Sequence, residues 1–282
     1  MRRPLLARLG ALADRYVLPF YTTLAVLYLL LPVAVIILFS FNKPPGRSNL
    51  VWTQFSLDAW LHPLAAGGLS SAVATSLLIA AASTIVATVL GTLMALALVR
   101  YGYRGKGLTN ALVFLPMATP EIILGASLLT LYVSIGQPPF FPLNVVTILI
   151  AHVMFNISYV VVTVRARLAD FPRHLEEAAM DLGANEFQTF WKVTFPLILP
   201  GVVSAALLAF SLSIDDFIIT NFTAGRTQTF PMFVYAQARV GIPVQAYVIG
   251  TIFFLVAVSI VALPALLGRR AARPIPEVGS AA

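Results

Sequence analysis

Six stretches of this 282-residue chain stay apolar for about as long as a lipid bilayer is thick, which leaves the backbone few ways to fold. They run near Leu18 to Phe41, Leu69 to Val99, Leu108 to Ile135, Val145 to Val164, Leu197 to Ile219 and Tyr247 to Leu267. A hydrocarbon core of about 30 Å takes roughly 20 helical residues to cross and offers backbone amides no water. A closed barrel would satisfy the backbone too, but its strands are ~10-residue segments of alternating polarity. These runs are continuous Leu, Val, Ala and Ile, which predicts an all-α integral membrane protein with six transmembrane helices. With 59% hydrophobic residues, 10% charged and a mean hydropathy of +0.91, the chain cannot clothe a soluble domain in polar surface.

Basic residues set the orientation, because Lys and Arg accumulate in cytoplasmic connections. With both termini inside, 14 of the 18 are cytoplasmic, among them Arg2, Arg3, Arg8, Arg15, Arg100, Arg104, Lys106, Arg165, Arg167, Arg173, Lys192 and Arg273. Lys43, Arg47, Arg226 and Arg239 fall outside. The net charge of +7 therefore calls for no nucleic acid, since basic flanks meet anionic headgroups. Arg2 and Arg3 before the first run could mark a secretory signal, but the run is too long and lacks a small-residue cleavage site. The expected organisation is a cytoplasmic segment 1–17, one transmembrane domain 18–268 with a cytoplasmic loop 166–196, and a cytoplasmic tail 269–282. The absence of cysteine excludes disulfides and thiolate sites, and His62, His152 and His174 are too dispersed to hold a metal.

Interruptions within the runs carry the next level of information. Pro116 and Pro120 remove backbone donors from the third run and predict a kink or unwound turn facing the bundle interior. Gly136 to Leu143 cannot continue a helix, whereas Met232 to Arg239 reads as a short interfacial or re-entrant helix. Trp52, Phe55, Trp60 and Leu61 in the first outer loop read as membrane-interface anchors.

Glu121, Asp215 and Asp216 are the acids that fall within or beside spans, where an ionised group costs roughly 2.5 to 3.5 kcal/mol. No basic residue is expected beside them, so a cationic solute would suit as a transient counter-ion, with Phe217 and Tyr235 among the aromatic faces at hand. A structural reading stands beside this one. Adjacent helical residues point about 100° apart, so one Asp can cap a helix break and Glu121 can close the Pro120 kink. The sequence assigns the path-lining role to neither Asp individually.

Between the fourth and fifth runs lies one long polar insert. Asp170 and Pro172 suit the start of a helix with Glu176 and Glu177 near its positive end, and Gly183 suits its C-terminal turn. Asn185 can cap a second short helix through Trp191, whose Phe187, Phe190 and Trp191 form a face able to fold back onto the bundle. Within the insert, Glu177-Ala178-Ala179, three residues, Gly183, nine residues, Val193, one residue and Phe195-Pro196 resembles the EAA loop of ABC importer permeases, with Val193 and Phe195 replacing the usual Ile and Leu.

That resemblance, of the type I importer class, extends from about Tyr28 to Leu267 and looks closest to spermidine/putrescine permeases of the PotC type. Ser40-Phe-Asn42, Leu115 to Leu129 and Phe210 to Ile219 carry the narrower likeness. It implies a coupling helix that docks on a separate ATPase dimer through Glu177, Ala178, Ala179 and Gly183, with Glu176, Asp181, Leu182 and Pro196 alongside. The chain has no phosphate-binding loop of the form G-x4-G-K-[ST], so ATP and Mg are expected on that partner and no cofactor on this chain. The resemblance further implies a second, PotB-like permease, an extracytoplasmic solute-binding protein and a place in the bacterial inner membrane. Rival readings are an importer of an opine, an amino-acid derivative or iron; an ion-coupled secondary transporter using the three acids; and a scaffold without transport.

Overall fold

The computed structural model describes residues 16–46, 48–169 and 171–271, with side chains through Ile260. Arg2, Arg3, Arg8, Arg15, Arg47, Asp170, Arg273 and the ends of the chain lie outside the described residues. In chain order the helices are α1 (Leu18–Phe39), α2 (Asp58–Leu61), α3 (Leu69–Arg100), α4 (Lys106–Ala118), α5 (Glu121–Ile135), α6 (Val145–Ala169), α7 (His174–Asp181) and α8 (Glu186–Thr189). A π-helical turn, Phe190–Thr194, leads into α9 (Phe195–Ile214), followed by α10 (Ile218–Thr223), α11 (Phe230–Gln237) and α12 (Val244–Ala271). The described residues are helical throughout apart from loops and one isolated bridge between Asn42 and Phe55.

Among the described residues, α1, α3, α6 and the continuous stretch Glu186–Ile214 are long and apolar enough to cross a membrane. A fifth span results if α4 and α5 are one crossing, although they are bent by 108°. The proline break expected in the third run is thus a corner: Ala118 ends one helix and Pro120 stands before the next. The fifth run, expected to continue to Ile219, instead stops at Ile214, turns through Asp215, Asp216 and Phe217, and resumes as α10.

The chain divides into two compact units, one of residues up to Gly67 with those from Gln237 on, the other Gly68–Ala236. In the first, α12 packs on α1, and α2 lies against Val244 and Val248 of α12. Asn42 organises its loop: Nδ2 donates to Asn49 Oδ1 at 2.7 Å and to the Val51 carbonyl at 2.8 Å, while Oδ1 accepts from Thr53. Phe41 stacks on Phe55 and Trp60, so these rings pack on one another. No residue of α1 is buried in the described protein, and such an apolar helix needs lipid or another chain around it.

The second unit is built on α3, α6 and α9. Ala87, Ala95, Val160, Val164, Ile198, Ala205 and Ala209 form its main core, and the small side chains let three long helices approach closely. At the polar-loop end of this bundle sit α7 and α8, and toward the other end the corner between α4 and α5 meets the break between α9 and α10.

Candidate functional site

The two helix breaks face each other because α5 packs on α10. Their approach depends on Gly125: a Cβ there would lie 2.7 Å from Phe222 Cδ2, closer than packed carbons tolerate. Leu124, Leu128, Tyr132, Ala151, Phe155 and Ile219 fill the core behind the contact. This packing gathers the three acids expected near a path. Glu121 occupies the first turn of α5, where the helix dipole favours it, and both Glu121 and Asp216 lie within electrostatic range of Asp215. Phe217 and Tyr235 also meet, with ring centroids 4.6 Å apart.

Glu121 and Asp215 are exposed, and neither has an ion-pair partner within 4.0 Å among the described residues. Asp216 is different. Its Oδ2 accepts from Thr220 N at 2.8 Å and Thr220 Oγ1 at 2.7 Å, and Oδ1 takes a long bond from Ile219 N at 3.4 Å, so it caps α10. His152 Nε2 stands 3.3 Å from the same Oδ2 and 2.9 Å from Thr220 Oγ1, with the two side chains 3% and 8% exposed. Because Thr220 spends its proton on Asp216, its oxygen accepts from His152, which makes Nε2 a donor. On the far side of the ring, Nδ1 meets Ser213 Oγ at 2.7 Å, and Ser213 meets Ser83 Oγ at 3.0 Å. Rotation of these hydroxyls satisfies the chain whether or not Nδ1 carries a proton.

The expectation that no basic residue accompanies the acids is therefore corrected at Asp216, whose neighbour is His152. His152 is an ionisable residue inside the fourth apolar run and so meets the same criterion as the acids, although its spacing from the other histidines fits no metal site. Ser83, Ser213 and Thr220 carried no comparable signal, since isolated hydroxyls are common in membrane helices.

At the loop end, α7 begins after Pro172 with Glu176 and Glu177 in its first turn, and Gly183 closes it at φ 88°, a left-handed conformation that favours glycine. Asn185 caps α8 as expected: its side chain accepts from Gln188 N at 2.8 Å, and Gln188 Oε1 accepts from Asn185 N at 3.1 Å. Pro196 falls in the first turn of α9, directly after the π-helical turn Phe190–Thr194. Glu177, Ala178, Asp181 and Leu182 are exposed, Leu182 at 91%, and Ala179 is half-buried. Glu176 turns inward, onto Arg100 at 2.9 Å and Thr194 at 2.7 Å. Of the aromatic face expected to fold back, only Phe190 is half-buried; Phe187 and Trp191 remain exposed, because Phe190 alone sits on the bundle side of the turn.

Residues 87–273 match the family described as binding-protein-dependent transport system inner membrane component. The putrescine transport system permease protein PotI of Escherichia coli (strain K12) is 37% identical over 238 residues, covering 83% of this chain and 84% of that protein. The spermidine/putrescine transport system permease protein PotC of Haemophilus influenzae is 34% identical over 244 residues, covering 86% and 93%. In fold, the chain resembles a chain of a bacterial ABC transporter involved in the import of the acidic polysaccharide alginate. The TM-score is 0.66, over 94% of this chain and 100% of that one, at 16% identity.

Proposed function

Because the chain belongs to the binding-protein-dependent transport system inner membrane component family, we propose that it is the permease subunit of an ATP-driven importer of polyamines. It is a non-catalytic inner-membrane protein, and ATP and Mg belong to a separate ATPase dimer. Six spans carry it through the membrane with both termini in the cytoplasm, which puts the loop 166–196 on the side of the ATPase. A second, PotB-like permease completes the path, and a solute-binding protein delivers substrate from outside.

The observation that carries this reading is the outward face of α7. Glu177, Ala178, Asp181 and Leu182 project from a short helix tied between two long apolar ones, as a docking element must. Small Ala178 and Ala179 let it seat deeply in a partner's cleft, and Gly183 lets the chain turn back. Toward the other end, the polyamine's ammonium groups pass the uncompensated carboxylates of Glu121 and Asp215, with the Phe217 and Tyr235 rings beside them. Relatives whose names specify putrescine and spermidine support that choice of cargo.

The test is uptake of labelled putrescine and spermidine by a transporter-null cell expressing all subunits, with the chain intact or carrying Glu177→Lys. Uptake with the intact chain, falling at least about tenfold in the variant as docking weakens, is expected. An assembled complex that imports neither polyamine removes the cargo assignment and directs attention to opines, amino-acid derivatives or iron. Normal uptake by Glu177→Lys removes the docking role.

A further inference from the structure

Glu176 and Glu177 are neighbours in sequence but lie about 100° apart around α7, and they meet opposite surroundings. The Glu177 side chain is 61% exposed, with Arg173 at 3.9 Å. The Glu176 side chain is 14% exposed, and its Oε1 accepts from Arg100 Nη2 at 2.9 Å and from Thr194 Oγ1 at 2.7 Å. Arg100 is itself 14% exposed and lies over the Phe171 ring, 5.2 Å from its centroid. One carboxylate thus gathers the last residue of α3, the chain leaving α6 and the turn that opens α9.

An eight-residue helix is too short to hold itself in place. α7 also has no side-chain N-cap, and it ends at an exposed Gly183. Its orientation relative to the long helices must come from tertiary bonds, and the Glu176 cluster supplies charge-assisted ones between largely buried side chains. Arg100, Glu176 and Thr194 themselves border an open cavity of about 260 Å³, which Met180, Glu186 and Phe190 also line and which leaves room for α7 to tilt once the bonds are cut.

We propose that Glu176 is a positioning residue and no part of the docking surface. With Arg100 and Thr194 it forms a strut that locks α7 to α3 and to the base of α9. Movement imposed on α7 then reaches two spanning helices directly. The source of that movement rests on the importer reading above; the strut itself rests on the geometry of this chain alone.

The complete transporter in proteoliposomes tests it. Glu176→Gln is expected to keep the ATPase subunit co-purifying at the wild-type level while the ATP hydrolysed per substrate imported rises by roughly tenfold, the size of a typical coupling loss. Arg100→Gln should do the same, and the exchange of Arg100→Glu with Glu176→Arg should recover most of the coupling. Thr194→Val, which keeps the ion pair, should move the ratio the same way by less. Loss of co-purification in Glu176→Gln, an unchanged ratio, or an exchange no better than either single variant overturns the proposal.

A second readout needs neither partner nor substrate. The chain contains no cysteine, so spin labels at His174→Cys in α7 and at the exposed Leu93→Cys in α3 report the α7 to α3 separation directly. Glu176→Gln should broaden that distance distribution, and an unchanged distribution sinks the strut even if the cargo assignment has failed separately.

Discussion

Two regions of the second unit each hold a pair of adjacent acids, and in both the pair is divided. At the loop, Glu176 is bonded to Arg100 and Thr194 while Glu177 stays exposed. At the helix breaks, Asp216 is bonded to Thr220 and faces His152 while Asp215 stays exposed. Successive side chains leave the backbone in different directions, so a fold that buries one member frees the other. The held member fixes a local geometry and the free one is presented to whatever arrives. The regions differ in what holds them: an arginine at a helix end in one, and a histidine deep within the helix bundle in the other.

The sharpest way to break the second region is steric. Gly125→Leu drives a side chain into Phe222, and overpacking of this kind costs about 1 to 3 kcal/mol. Uptake should be lost and the thermal midpoint of the purified chain should fall; a variant that transports normally would show that α5 and α10 need not touch.

Next in size is the division between the two aspartates. Asp216→Asn weakens bonds to a charged acceptor, worth about 1.5 to 3 kcal/mol, so it should lower the melting temperature. Asp215→Asn should leave melting near wild type and raise the polyamine concentration needed for half-maximal uptake. The reverse pattern would exchange their roles.

The smallest effect belongs to the loop. Asn185→Ala removes one cap and should cost about 1 kcal/mol, read as faster amide exchange at Gln188 and Thr189 with coupling little changed. Loss of coupling on that scale of perturbation would make α8, rather than α7, the sensitive element.

Much of this was legible along the chain because it depends on local rules. The starts of α3 and α6 fell within the expected runs, the proline pair marked the corner before Glu121, and Asn185 and Gly183 behaved as a cap and a helix end. The angle of that corner did not follow, since two prolines break a helix without saying where the next one points. The position of the stop at Ile214 did not follow either, although a helix break capped by one Asp was among the expected readings and Asp216 does cap α10. Phe187 and Trp191 looked like an inward face because only their spacing was visible, not the direction in which the turn rolls α8.

Hydrophobic run length, helix signals and the motif between Glu177 and Pro196 are properties of neighbouring residues, and the sequence by itself determined from them an all-helical membrane protein with one long polar loop. Pairings between distant residues are another matter. That His152 meets Asp216, that Arg100 meets Glu176, and that Gly125 seats against Phe222 were decided only when α3, α6, α9 and the short helices packed. Each partner is 64 to 97 positions away from the other, and an isolated histidine, arginine or glycine carries no mark of what it will face. Burial then makes those meetings decisive, because a polar group withdrawn from water must find its partner within the fold.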